Sequence, residues 1–537
     1  MQTSYLGVLL LAGSVSGCVV IEDRTPAPRR GAVSQPLRAF VEQSGVTLRS
    51  VSAEVDGHLL PLALDPVTGL YAGTYAPVSL ADRCKPSYSV RYQTVFQNAG
   101  GVEVTQYEPA LGHYQREATG FLPRICRPPV QPLTIIVQST SDAELVPGAT
   151  ACVSDLASGE CTLRAAISLA NGTPGHDVVV LASGSTYTLS IGTSSETSSP
   201  FHMSIRDDLT LRASGSTPAT ITESESAAYG RALFDVNAAS AVALQLQGLT
   251  ITGFEPFTAL VPGVITNSNG SLIIDHCTFS SNEAYLWGGA IQNRGYLSID
   301  HSTLTDNLAW DSGGAVAQFA NAAGTSGLPY ARIRNSTISY NRVHDGGTGA
   351  GIYGSAGTLV VENVTLAGNL PHIPGNRIQG GALYVAGSLS ALVRQSTLAQ
   401  NSADVGAGIY VAGGTLALAN SIVVNGVREP YSDVMGVDGA VAYGFGRNLL
   451  GRCSSTTPGL TCPIADSTLI SSASPGLSAL ALNAPGTTET YALTASSPAR
   501  GQGSAVAANA ADITTCLHTD QRGVNRSLPC DLGAYQY

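Results

Sequence analysis

The chain has 537 residues, of which 44% are hydrophobic, only 12% charged and 6% aromatic, with 59 glycines and a formal net charge of −11. This balance excludes a disordered tail, and the acidic surplus argues against nucleic acid and anionic membrane surfaces as partners. Glycine-rich, weakly charged sequence of this kind fits short strands and tight turns. A core built that way can grow along an axis without splitting into globular domains.

The first residues read as a targeting segment. Leu6 to Val15 is apolar, of signal-peptide length and too short to span a bilayer. It ends in Val15-Ser16-Gly17-Cys18, which resembles the bacterial lipobox, whose cysteine is lipidated and becomes the mature N-terminus. The residues before Leu6 depart from that pattern in lacking Lys or Arg. Residues 1–18 are therefore expected to be a lipoprotein signal peptide, with Cys18 lipidated. Val19, where Asp would signal retention at the inner membrane, points to the outer membrane or cell surface. No further membrane anchor is apparent up to Tyr537, so the lipid is expected to serve as the anchor.

Residues 19–36, with Pro26, Pro28 and Pro36, read as a tether. Residues 37–127 are expected to form a small, Ig-like β-sandwich. Alternating runs (Val46–Val55, Leu70–Tyr75, Tyr88–Phe96) are separated there by turns at Asp65-Pro66-x-x-Gly69 and Asn98-Ala99-Gly100-Gly101. Pro128, Pro129 and Pro132 close that domain.

The most telling pattern lies further on. A Thr, an aliphatic or Phe, two residues and an Asn recur at Thr278–Asn282, Thr303–Asn307, Thr337–Asn341, Thr365–Asn369 and Thr397–Asn401, in steps of 25, 34, 28 and 32 residues. A second beat of small residues begins at Gly288, Gly313, Gly349, Gly380 and Gly406. Within each unit apolar residues alternate, as in Leu297-x-Ile299, which is strand periodicity. Fixed beats with variable loops specify a parallel β-helix over about residues 134–450. Stacked coils turn equivalent positions into ladders. The asparagines are expected to form an amide ladder at one corner, adopting left-handed backbone there. The Gly pairs mark a second corner. Positions flanking each Thr point inward: Cys277, Ser302, Ser336, Val364 and Ser396 before it, Phe279, Leu304, Ile338, Leu366 and Leu398 after it.

Ten cysteines less Cys18 leave nine, consistent with an oxidising compartment. Proximity in sequence suggests Cys84–Cys126, Cys152–Cys161, Cys453–Cys462 and Cys516–Cys530, leaving Cys277 as a buried free thiol. No Cys/His spacing indicates zinc, and neither metal nor cofactor is expected.

Cys161-Thr162-Leu163-Arg164-Ala165-Ala166-Ile167, ending in Ala170-Asn171, resembles the CSLREA-type motif, with Thr162 for Ser and Ala165 for Glu. Asn448-Leu449-Leu450-Gly451, Ser497-Pro498-Ala499 and Asp520-Gln521-Arg522-Gly523 through Cys530-Asp531-Leu532-Gly533-Ala534 resemble the choice-of-anchor Q domain of bacterial surface proteins. Together the resemblances bracket the coils and imply an exported right-handed parallel β-helix of the pectin-lyase-like class, without implying an activity. On this basis the chain reads as all-β, a β-helix preceded by the sandwich, with an N-terminal cap at 150–171 and a choice-of-anchor Q-like region at 451–537. Leu163, Ala166, Ile167 and Ala170 have helical spacing, so a short helix is expected to cover the first coil. The segment Asp520–Tyr537 is expected at the other end, with Arg522 paired to Asp531.

Catalytic candidates are few. Asp275-His276 and Asp300-His301 fall at equivalent positions of successive coils, bringing two carboxylates and two imidazoles about one coil apart. The later coils carry Arg334-Asn335, Glu362-Asn363 and Arg394-Gln395 there, as a solvated outer face would. Asp207-Asp208 reads as a turn into a strand. The catalytic motifs of polygalacturonases, a pectate-lyase-like calcium cluster, Gly-x-Ser-x-Gly and the P-loop are all missing. Trp287, Trp310, Tyr340 and Tyr353 sit near the glycine corners, where they would stack either on sugars or on neighbouring loops. The expected function is that of a lipid-anchored, non-catalytic binding or adhesion rod for a glycan or surface polymer. The alternative is a polysaccharide lyase or glycoside hydrolase of the same fold.

Overall fold

The computed structural model describes residues 18–23, 35–44, 47–55, 58–65, 70–75, 87–97, 103–108, 114–117, 132–191, 201–224, 231–236, 242–255, 263–321, 328–375, 377–425, 433–436, 441–455, 464, 469–471, 474–506 and 513–537. The chain divides into two compact units, Met1–Pro128 and Pro129–Tyr537.

The first unit is an eight-stranded antiparallel sheet. Alternation in Thr47–Val55 and Ser87–Gln97 sends Val51, Ala53, Val55, Val90, Tyr92 and Phe96 inward. They meet Leu37, Ala39, Leu62 and Tyr75 in one buried cluster. The strand His58–Leu64 pairs with Thr47–Val55 along its first part and with Tyr71–Tyr75 through Ala63 and Leu64. It thus passes from one half of the sheet to the other. The expected turn after Leu64 is closed by Asp65 N donating to Leu70 O at 2.8 Å. Cys18–Asp23, placed by sequence in the signal peptide and tether, is a strand lying antiparallel to Gln35–Ser44, so the sheet takes in residues upstream of position 37. Cys84 and Cys126 fall outside the described residues.

The second unit is a parallel β-helix with faces of eleven, eleven and ten strands, each strand pairing with its equivalent in the next coil. In one coil, Ser271–Asp275 lies on the first face, Thr278–Ser280 on the second and Ile291–Asn293 on the third. A four-stranded ladder that includes Glu283–Ala284 adds a short side between the second and third faces. The recurrent threonines are in register, Thr278 beside Thr303, then Thr337, Thr365 and Thr397. Phe279, Leu304, Ile338, Leu366 and Leu398 form an inner column no more than 1% exposed. Strands of the faces run from Thr134–Ile136 to Leu469–Ser471, so the solenoid continues past residue 450.

The asparagine ladder is present and longer than the five residues of the repeat. Nδ2 of Asn282, Asn307, Asn341, Asn369 and Asn401 each donates to Oδ1 of the next, at 2.7–3.0 Å, ending on Asn425. The left-handed residue is not the asparagine but the one before it: Ser281, Asp306, Tyr340 and Gln400 have φ between 53° and 59°, and Gly368 has 62°. The amide points inward, where it also donates to a strand carbonyl such as Leu304 O (3.0 Å from Asn341 Nδ2), so the sharp turn is made one residue earlier. The glycine corner is as expected, with φ of 60–70° at Gly288, Gly313, Gly349, Gly380 and Gly406. There a Cβ on Gly288 would also collide with the Ile291 carbonyl.

Both ends of the expected cap architecture are informative. Helix Leu163–Gly172 starts at Thr162, whose Oγ1 accepts from Ala165 N at 3.2 Å. Its Leu163, Ala166, Ile167 and Ala170 join the solenoid core, and Cys152–Cys161 is formed just before it. Arg164 is fixed by bidentate bonds to Asp142 (2.7 and 2.8 Å) and by His202 O (2.7 Å). Burial opposes ionisation of Asp142, yet Arg164 and the amides of Ile191 and Ser190 hold its carboxyl below the usual range.

The C-terminal segment does not sit over the far end. Residues 475–506 and 513–537 fold back as a strap along the second face. Thr337 Oγ1 donates to Glu489 O (2.6 Å), Thr365 Oγ1 to Gln521 Oε1 (2.7 Å), and Thr397 Oγ1 accepts from Ala534 N (3.0 Å). Leu493, Ala499 and Leu532 pack on Ile422 and Leu449. A column of hydroxyls and small apolar side chains offers such a segment both hydrogen bonds and burial, which an end position would not. Cys516–Cys530 is formed within the strap. Arg522 pairs with Asp520 (2.7 Å), not Asp531. Asp531 instead accepts from Gly501 N (2.6 Å), Tyr537 N (2.7 Å) and Gln536 Nε2 (3.0 Å), closing the chain terminus. Cys453 is disulfide-bonded, and its expected partner Cys462 lies outside the described residues.

Candidate functional site

The corner between the first and second faces gathers the four candidates named from sequence. His276 and His301 hold φ of 51° and 44°, the left-handed conformation that Asn335, Asn363, Gln395 and Asn420 adopt in later coils. Parallel stacking of coils puts the two imidazole rings 4.9 Å apart with planes within 12°. Asp275 Oδ1 lies 2.9 Å from His276 Nδ1 and 3.9 Å from His301 Nδ1. Asp300 is 3.1 Å from His301 Nδ1, but it is also held by the Arg334 guanidinium and by Asn335 Nδ2 (2.9 Å). The cluster is open to solvent, His276 being half exposed.

Cys277, next in the chain, points inward as a buried free thiol, which burial pushes up to about 12. Asp207 and Asp208 accept backbone bonds from Gly175 N (2.8 Å) and Ala243 N (2.9 Å), holding turns together.

Beyond this corner lies a surface that motif search overlooked. Thr186 and Thr188, Thr220 and Thr222, Thr250 and Thr252, Thr278 and Ser280, Thr303 and Thr305 stand in two columns on the outward side of the second face. All ten are half-buried or exposed, while the residues between them are buried. Strand geometry spaces the hydroxyls about 4.8 Å from coil to coil and about 6.6 Å across a strand. The signal in the sequence is the recurring Thr-x-Thr of positions 186, 220, 250 and 303.

The aromatic residues form columns of their own. Trp287, Phe319, Tyr353, Tyr384 and Tyr410 follow one another with ring centroids 5.0–5.5 Å apart. Tyr285, Trp310, His344 and His372 form a second series at 4.4–5.1 Å. Trp287 Nε1 donates to Asp311 (2.7 Å) and Trp310 Nε1 to Glu283 (2.6 Å), so those acids orient the rings. Burial, and then the neighbouring Tyr410 and Tyr353, push the Tyr384 phenol up to about 12. The rings pack on one another from coil to coil, the Tyr353–Tyr384 and Tyr285–Trp310 pairs stacked within 23° and the others tilted by 32–55°. Tyr340, 44% exposed, packs close against Gly368.

Among the described residues no helix is long and apolar enough to cross a membrane. The family model described as right handed beta helix region matches residues 232–398, the stretch containing the regular coils, and agrees with the parallel β-helix seen here. No curated protein and no solved structure matches the chain.

Proposed function

We propose that this chain is an exported, lipid-held surface protein that binds an extended polysaccharide along the open part of its second face without cutting it. One observation carries the reading: where the first threonine column continues beyond Thr303, at Thr337, Thr365 and Thr397, its hydroxyls bind the chain's own strap. The face is thus suited to an extended polar polymer running along the axis, and its open part offers ten more hydroxyls. The apolar Leu6–Val15 stretch, the Val-Ser-Gly-Cys junction, the disulfides and the resemblance to CSLREA-type and choice-of-anchor Q surface proteins support export. Glycoside hydrolysis ordinarily needs two available carboxylates, and at the corner where Asp275 and Asp300 meet beside the open face, Asp300 is already tied to Arg334 and Asn335.

The test pairs fractionation with binding. The parent should stay in the membrane fraction and Cys18→Ala should leave it. On immobilised acidic and neutral polysaccharides, the parent should be retained and Thr250→Tyr/Thr278→Tyr, which adds bulk to the open face, should lose retention. Equal retention of both proteins, or the appearance of new reducing or unsaturated chain ends, overturns the reading in favour of another surface or of the enzyme.

A further inference from the structure

We propose that Asp275, His276 and His301 bind one late first-row divalent cation of the zinc type. Each of the three offers one ligand atom, and those atoms lie within 4.8 Å of one another. Ligand atoms around a tetrahedral zinc, each about 2.0 Å from the ion, lie about 3.3 Å apart. The distances from Asp275 Oδ1 to the imidazoles, 2.9 and 3.9 Å, bracket that value. Two imidazole nitrogens and one carboxylate oxygen are a donor set that suits zinc and its neighbours and not magnesium.

Three further features set this corner apart from the rest of the ladder. Of the six non-glycine left-handed residues at this corner, only these two carry imidazoles; the other four carry amides that bond within the chain, as Asn363 does to Thr519 O (2.8 Å). Asp300, 3.1 Å from His301 Nδ1, has its charge met by the Arg334 guanidinium, which leaves Asp275 as the carboxylate for the ion. Asp275 forms its ion pairs, among the described residues, with the two imidazoles alone, so its charge is available to the ion. A fourth position faces solvent.

The experiment uses the full chain, stripped with a chelator and freed of it, titrated calorimetrically with zinc chloride and, separately, magnesium chloride. The parent should take up one zinc per chain and no magnesium, and cobalt in its place should give the visible absorption of a tetrahedral ion. His276→Asn/His301→Asn should keep the metal-free melting temperature, since Asn335 and Asn363 occupy the same corner. Its zinc affinity should fall by about 100-fold or more. Should that variant fail to fold, Asp275→Asn is read instead and must also weaken zinc. No uptake by the parent, or undiminished uptake by the folded variant, overturns the proposal.

Discussion

From Thr186 to Thr303, and again from Thr337 to Thr397, the second face presents the same outward threonine in register, yet the first stretch meets solvent and the second is buried. The strap makes the difference, and the strands are adapted to it. Two residues after the threonine, the open stretch carries Thr or Ser, whereas the last two covered coils carry Ala367 and Ala399, against which Tyr491 of the strap packs. A hydroxyl there would be buried beneath an aromatic ring; a methyl is not penalised. One strand pattern therefore serves two ends; the second outward position marks the last two covered coils, while in the first Ser339 keeps its buried hydroxyl by donating to Thr305 Oγ1 at 3.0 Å.

The sharpest way to break this comparison is to loosen the strap. Tyr491 is only 1% exposed, and Tyr491→Ala should cost about 3–5 kcal/mol of unfolding free energy. Hydrogen exchange should speed up between Thr337 and Ala399 and stay slow between Thr186 and Thr305. If chemical denaturation and exchange show both stretches weakened alike, they form one cooperative unit and the strap is no local cover.

Much of this was legible in sequence, for a physical reason. Stacked coils force equivalent residues into contact, so the Thr and Asn beats translate directly into registers. The spacing of Leu163, Ala166, Ile167 and Ala170 likewise announced the helix, while the capping role of Thr162 came only from the structure. The third-face amide ladder, Asn267 to Asn293 (2.9 Å) and Asn293 to Gln318 (3.1 Å), was equally available in Ile265-x-Asn267, Ile291-x-Asn293 and Val316-x-Gln318. The left-handed turn before each ladder asparagine was not, because Ser281, Asp306, Tyr340, Gly368 and Gln400 share no chemistry; the stack imposes their conformation. Nor was the strap's course legible. Gln521 reaches Thr337 across 184 residues, and no periodicity encodes a contact between a repeat and a segment outside it. The candidate corner was found because Asp-His recurs at one repeat, while the role of Asp300 depended on Arg334, one coil further along.

The asparagine ladder runs beneath both stretches and should not distinguish them. Asn341 Oδ1 accepts from Asn307 N (3.0 Å) and Asn307 Nδ2 (2.9 Å), and Asn282 Nδ2 is bonded in the same way to Asn307 and to Ile251 O. Asn341→Ala and Asn282→Ala should each cost about 1–3 kcal/mol by leaving buried partners unpaired. Equal losses in equilibrium unfolding locate the difference between the stretches in the strap. A loss confined to Asn341→Ala would place it in the solenoid itself.

The smallest effect isolates a single hydroxyl. Thr365 is fully buried, and its Oγ1 donates to Gln521 Oε1 at 2.7 Å. Thr365→Val keeps the shape and leaves that buried amide oxygen without this partner, a cost of about 1–2 kcal/mol. Thr278, at the equivalent position one stretch earlier, is half-buried on the open face, where water replaces whatever the hydroxyl gave up. Thr278→Val should therefore change stability by less than about 0.5 kcal/mol, but should weaken retention on any polysaccharide that parent chain binds. The pair separates the two uses of one side chain: stability falls with the covered threonine and binding with the open one. A Thr278→Val protein that loses stability as much as Thr365→Val would mean that the open columns are structural, and the second face would no longer be the place to look for a ligand.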